Sequence, residues 1–154
     1  MVREYSEDII KDGLQVLERA IKAIKKKQLL ELESLSNRVI HNATSMQDSI
    51  SINISKILYG IFKLERQSML KNTPLPLDNL ADMLVELHDH IGLGKITVFE
   101  QRVEKVIQEI ERIGKDIHME NVIDRAGVKK GGKIYDHGIS IAQAAEAMNI
   151  SQWE

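Results

Sequence analysis

The chain has 154 residues and no cysteine. That absence excludes disulfides, thiolate metal sites and thiol nucleophiles, and it is what a reducing compartment permits, so a cytoplasmic location is expected. An excess of one charge is missing too. With 21 basic and 23 acidic residues the formal net charge is -2, which gives no global attraction to nucleic acid or an acidic membrane, so any basic function has to be local. No stretch reaches the roughly 18 to 20 uninterrupted apolar residues that crossing a bilayer requires, and no membrane partner is expected. Residues 1–6 show no basic region followed by an apolar run, so no signal peptide is expected. Only two prolines occur, Pro74 and Pro76. Both fall in the segment Asn72 to Leu77, the clearest linker in the chain.

What is present is helical periodicity. Helix 1 is expected to start at Ser6, whose hydroxyl can cap free amides, with Glu7 and Asp8 facing the positive end of the dipole. Ile10, Leu14, Leu17, Ile21 and Ile24 then form a narrow apolar seam, closed by Lys25, Lys26 and Lys27 at the negative end. Helix 2, from about Leu29 to Met46, presents the wider stripe Leu29, Leu32, Leu35, Val39, Ile40, Ala43 and Met46. Helix 3, from about Ser49 to Leu70, carries Ile50, Ile54, Ile57, Ile61 and Leu64, with Leu58 and Phe62 broadening the face. Its opening run from Ser49 to Ser55 alternates like a strand. The helical period continues unbroken to Leu64 and a lone strand would lack a partner, so the run is read as helix. Helix 4, from about Asp78 to Ile91, aligns Leu80, Leu84, Leu87 and Ile91 and stops at Gly92 and Gly94. Helix 5 is expected to begin with a reciprocal capping box of Thr97 and Glu100. Its residues Phe99, Val103, Val106, Ile110, Ile113 and Ile117 hold heptad spacing, a seam for a partner helix in this chain or, as a homodimer, in a second copy.

The fold expected is therefore all-α: an antiparallel bundle of about five helices with a small C-terminal helical appendage. The boundary is placed near His118, giving a bundle domain over 1–118 and, over 119–154, a glycine and lysine loop with a last helical segment.

Three polar groups invite chemical readings. On helix 4, Asp82, Glu86, His88, Asp89 and His90 crowd together, but their spacing is not that with which one helix holds zinc or iron, so a solvated face is expected and no metal is assigned. Where helix 2 meets helix 3 lie Asn37, Arg38, His41, Asn42, Gln47 and Asp48, read either as a register-fixing buried network or as a solvated helix end. Arg38 and His41 on an all-α domain also resemble the HEPN family of helical ribonucleases, which implies a catalytic arginine and histidine. That family separates the pair by four to six residues, against two here. Third, residues 127–133 read as G-x-x-x-x-G-K, the opening of a phosphate-binding loop. Ile134 stands where Ser or Thr would hold magnesium and no strand precedes it, so a nucleotide site is rejected. A loop with Lys129, Lys130 and Lys133 and free glycine amides remains, able to hold a phosphate backbone or to serve as a solvated linker.

The sharpest pattern spans residues 140–154. Ala144 and Ala145 allow two helices to cross closely, Met148 and Ile150 anchor either side of a turn, Asn149 tolerates a left-handed backbone, and Ser151 with Glu154 caps a second helix. This pattern resembles the helix-turn-helix family of DNA-binding motifs. The resemblance covers about a tenth of the chain, reaches one turn of the second helix, and has Asn149 where the family usually has glycine. It implies that Ser151, Gln152 and Trp153 lie nearest to duplex DNA. The whole layout is similar to small archaeal proteins that join a helical bundle to a C-terminal helix-turn-helix, a likeness that implies no activity.

The function expected is a nucleic-acid-associated regulator rather than an enzyme, with no catalytic residue, no cofactor and no small-molecule ligand identified. A helical interaction module such as an adaptor or antitoxin-like protein is the first alternative, and a HEPN-type ribonuclease using Arg38 and His41 the second.

Overall fold

A computed structural model describes residues 7–46, 48–119 and 122, with the backbone alone for residues 42–46. The cap at Ser6, the loop lysines and the helix-turn-helix-like segment lie outside the described residues. Within them the chain is all-α, with five helices: α1 (Glu7–Lys25), α2 (Leu29–Met46), α3 (Ser49–Lys71), α4 (Leu77–Gly92) and α5 (Ile96–Asp116).

Short connections make neighbours in sequence antiparallel neighbours in space. Between α1 and α2 the pairs Arg19 with Glu31 and Asp12 with Arg38 run in opposite senses, and Glu86 meets Arg102 across the α4–α5 turn. α3 and α5 run parallel, because Ser49 reaches Glu100 at one end and the Lys71 amine donates to the Ile117 carbonyl at the other. α1, α3 and α5 therefore end at the same pole of the bundle, where α2 and α4 begin.

α3 is the axis. It buries residues around most of its circumference, among them Ile50, Ile54, Ile57, Leu58, Tyr59, Ile61, Phe62 and Leu64, and it packs against α1, α2 and α5. A helix enclosed on several sides draws on both alternating and helical apolar positions, which is why the strand-like run from Ser49 to Ser55 is helical here. Asp48 starts it: its backbone is extended, and Oδ1 accepts from the Ser51 amide at 2.7 Å.

Two sequence expectations need correction. The buried face of α1 is centred on Val16, Leu17, Ala20, Ala23 and Ile24, whereas Ile10, Leu14 and Ile21 are only partly buried. Small residues at Gly13, Ala20 and Ala23 let neighbouring helices approach closely, which rotates the packed face away from the line of large aliphatics. The Thr97–Glu100 capping box is not formed. Lys95 is the N-cap, without a side-chain hydrogen bond, and Glu100 instead accepts from Ser49 at 3.5 Å. Gly94, at φ 74, reverses the chain so tightly that α5 has already begun at Ile96, placing Thr97 inside the helix.

The heptad seam of α5 is filled by this chain: Phe99, Val103, Val106, Ile110, Ile113 and Ile117 are each at most 4 % exposed. A homodimer through that seam would have to open the bundle. The core also passes the boundary expected near His118, since Val122 is fully buried in it. Gly114 makes room for this return: a Cβ there would lie 2.6 Å from Val122 Cγ2 and 2.7 Å from the Met119 carbonyl oxygen.

Gly114→Ala is accordingly expected to destabilise the protein by about 1–3 kcal/mol, overpacking outweighing the roughly 1 kcal/mol gained in helix propensity. A lower urea midpoint at unchanged slope is the readout. Asp48→Ala, which deletes the N-cap of the central helix, is expected to cost about 0.5–2 kcal/mol in the same measurement.

Candidate functional site

The residues assigned to nucleic acid from sequence, Lys129, Lys130, Lys133, Ser151, Gln152 and Trp153, all lie outside the described residues. Inside them, the structure assembles a different candidate at the pole where α1, α3 and α5 end.

Its construction starts with helix termination. α1, α3, α4 and α5 each stop on a residue with positive φ, namely Lys27 (56), Asn72 (50), Gly94 (74) and His118 (59). At each, the amide of that residue and the amide of the next one return to carbonyls of the last helical turn. In α1 these bonds are Lys27 to Ile24 and Gln28 to Ala23; in α3 they are Asn72 to Met69 and Thr73 to Ser68. This left-handed cap ties off carbonyls at the negative end of the helix dipole. Lysine, asparagine and histidine hold it where glycine is commonest, at some cost in backbone strain. The Lys25 to Lys27 run thus does more than offset a dipole, since Lys27 is the residue that turns α1 into α2.

Between the caps of α1 and α3 and the start of α4 lies a pocket of about 340 Å³. Its polar lining is Lys27, Glu65, Ser68, Asn72 and Thr73, and Met69, Pro74, Leu75 and Leu77 supply apolar wall. The proline linker forms one side. It is fastened by the Ser68 hydroxyl, which donates to the Thr73 carbonyl, and by the Leu77 amide, which donates to the Leu75 carbonyl at 2.9 Å.

Glu65 is the unusual group. It is 5 % exposed, and its Oε1 is shielded from solvent with no hydrogen-bond partner. Burial disfavours the ionised form and pushes the carboxyl up to about 7, against a smaller opposing pull from Lys27. A buried, unpartnered acid that changes charge near neutrality and lines a pocket is a feature by which functional sites are recognised.

In the sequence Glu65 looks like one more charge near a helix end, and it is not among the candidates read there. A signal is nevertheless present: Ile54, Leu58, Ile61 and Phe62 define the inner face of α3, and Glu65 continues it at the next step of the same period. What periodicity does not supply is the opposing charge, because Lys27 arrives from the α1–α2 turn, on the far side of α2 in the chain.

The other polar groups serve packing. The Arg38 guanidinium is held by Asp12 and by Gln15 Oε1, the latter at 2.7 Å, so the group that the ribonuclease resemblance would aim at a phosphodiester is engaged by α1. His41 is exposed, and the Asn42 side chain lies outside the described residues. Asp48 is the cap of α3. On α4, His88 Nε2 meets Glu18 Oε1 at 3.1 Å and Nδ1 meets Asp89 Oδ1 at 3.2 Å, while Glu86 faces Arg102. That face links α4 to α1 and α5. Among the described residues no group of three or more His, Asp or Glu side chains could hold a metal ion.

The raised Glu65 carboxyl makes stability depend on pH. The folded protein holds the proton up to about pH 7, whereas an unfolded chain releases it near 4.5. Glu65 therefore penalises folding increasingly as pH rises from about 4.5 to about 7, by on the order of 3 kcal/mol in total, and by a constant amount above that. Glu65→Gln is expected to remove this slope and to raise stability at about pH 8, with little effect at about pH 4, as read by urea denaturation at each pH. No protein-family model, no curated protein and no solved structure matches this chain.

Proposed function

We propose that the chain is a cytoplasmic, nucleic-acid-associated regulatory protein, with the helical bundle as its sensing half and the C-terminal segment as its contact with duplex DNA. The observation that carries this reading is the residue pattern over 140–154, with small residues at a helix crossing, Asn149 at the turn and Ser151 as the cap of a second helix. Lys129, Lys130 and Lys133 just upstream add a local positive charge suited to a phosphate backbone in a chain whose net charge is near zero.

The described geometry supports a coupling between the halves. The pocket and the end of α5 occupy the same pole, and Lys71 connects them: it adjoins Asn72 in the pocket wall, and its amine donates to the Ile117 carbonyl at 3.3 Å. A shift of the α3 cap would be felt at the end of α5, the last helix before the C-terminal segment in the chain.

A second reading, a helical interaction module, is favoured by one specific observation. Leu30, Met69 and Leu70, all at this pole, are 79, 68 and 75 % exposed, which is more apolar surface than a bundle end needs.

A mobility-shift titration of the full chain on duplex DNA over a salt series separates the two. The regulator reading expects affinity that falls steeply with salt. Replacing Lys129, Lys130 and Lys133 together by Ala should flatten the log–log slope by about 0.9 for every phosphate that is no longer neutralised. Absence of a shifted band at low salt would overturn the reading and leave the interaction module.

A further inference from the structure

We propose that the Glu65 pocket is a binding site for a small organic ammonium ion, an amine carried on a short apolar body, with the Glu65 carboxylate as its counter-ion.

The chemistry of the ligand follows from what the pocket offers and lacks. Oε1 of Glu65 is shielded, has no hydrogen-bond partner, and belongs to a side chain that is 5 % exposed and lines the cavity. An acceptor in that position calls for a donor, and an ammonium group supplies both the hydrogen bond and the compensating charge. Three nearby protein donors are engaged elsewhere. The Ser68 hydroxyl donates to the Thr73 carbonyl, the Thr73 hydroxyl donates to the Lys71 carbonyl at 3.3 Å, and the Lys71 amine donates to the Ile117 carbonyl.

The helix ends around the pocket are of both kinds, since α4 begins there with the positive end of its dipole. α1 and α3 end beside the pocket, each directing the negative end of its dipole toward it. Lys27 is the one other charged side chain in the lining. Standing exposed at the turn, it lowers the Glu65 carboxyl only in part, and its charge opposes any bound cation, a doubly charged one most. Met69, Leu75 and Leu77 form a wall for aliphatic carbon. A volume of about 340 Å³ lies in the range of small-molecule sites.

Ammonium binding requires the ionised carboxyl. With the carboxyl pushed up to about 7, affinity for a permanently protonated amine should rise about tenfold between about pH 6 and about pH 8. A ligand that only accepts a hydrogen bond would show the opposite trend. The site stands on the pocket alone and does not require that the C-terminal segment touch DNA, so the titration below and the mobility shift can fail independently.

The test is an NMR titration of the full chain with hexylammonium chloride, with hexanol and hexanoate as neutral and anionic probes of the same length. Saturable shifts of the Glu65, Ser68 and Asn72 amides are expected with hexylammonium, stronger at the higher pH, and at least tenfold weaker in Glu65→Gln, which keeps the size of the side chain. Met69→Lys, on an exposed rim position that leaves the core intact, should weaken binding several-fold by placing a like charge at the mouth. The proposal is overturned by any of three results: no saturable shift at these amides, tighter binding of hexanol or hexanoate, or equal affinity in Glu65→Gln.

Discussion

The enclosure of α3 is the constraint on which the rest of the structure depends. A helix surrounded on several sides removes much of its apolar surface from water, and the aliphatic run from Ile50 to Leu64 provides the largest block of burial in the bundle. Enclosure also takes polar atoms out of water, and each must be answered. The Ser55 carbonyl receives the Ser36 hydroxyl from α2 at 3.4 Å, and the free amides at the helix start receive Asp48. Not every one is: the Ser55 hydroxyl and Oε1 of Glu65, both on α3, have no hydrogen-bond partner. The same packing that makes α3 the axis therefore creates the one strongly perturbed acid seen among the described residues.

The termini of the helices turn this local tension into a site. Because short turns alternate helix direction, three odd-numbered helices end together, and their left-handed caps at Lys27, Asn72 and His118 gather on one pole. Two of those caps, with the proline linker, wall the cavity that contains Glu65. The third, at the end of α5, is tied to the α3 cap through Lys71. A chemical event at Glu65 is thus mechanically close to the end of α5.

Legibility differs by feature, for physical reasons. The helices are readable because their apolar residues recur at the helical period and their ends coincide with glycine, proline and a capping Asp48. The inner face of α1 departs from the line of large aliphatics because Gly13, Ala20 and Ala23 contribute closeness of approach rather than apolar area. The start of α5 departs from its capping-box signal because that signal competes with the turn before it. Gly94 reverses the chain early enough that Thr97 is already a helical residue. The polar cluster at Arg38 has several readings in one dimension, and its partners Asp12 and Gln15 become visible only once α1 lies beside α2.

Taken alone, the sequence determined the class of the protein: an all-α chain with five helical segments, a proline linker between the third and fourth, and neither thiols nor a helix apolar and long enough to span a membrane among the described residues. Those properties depend on composition and on spacing along the chain, which the sequence contains in full. Tertiary structure alone decided that the α5 seam is used inside the bundle, that Lys27 and Asn72 meet around one cavity, and that Glu65 is buried there. Burial and electrostatic environment are properties of neighbours in space, and for Glu65 those neighbours include Lys27 from the α1–α2 turn, distant in the chain.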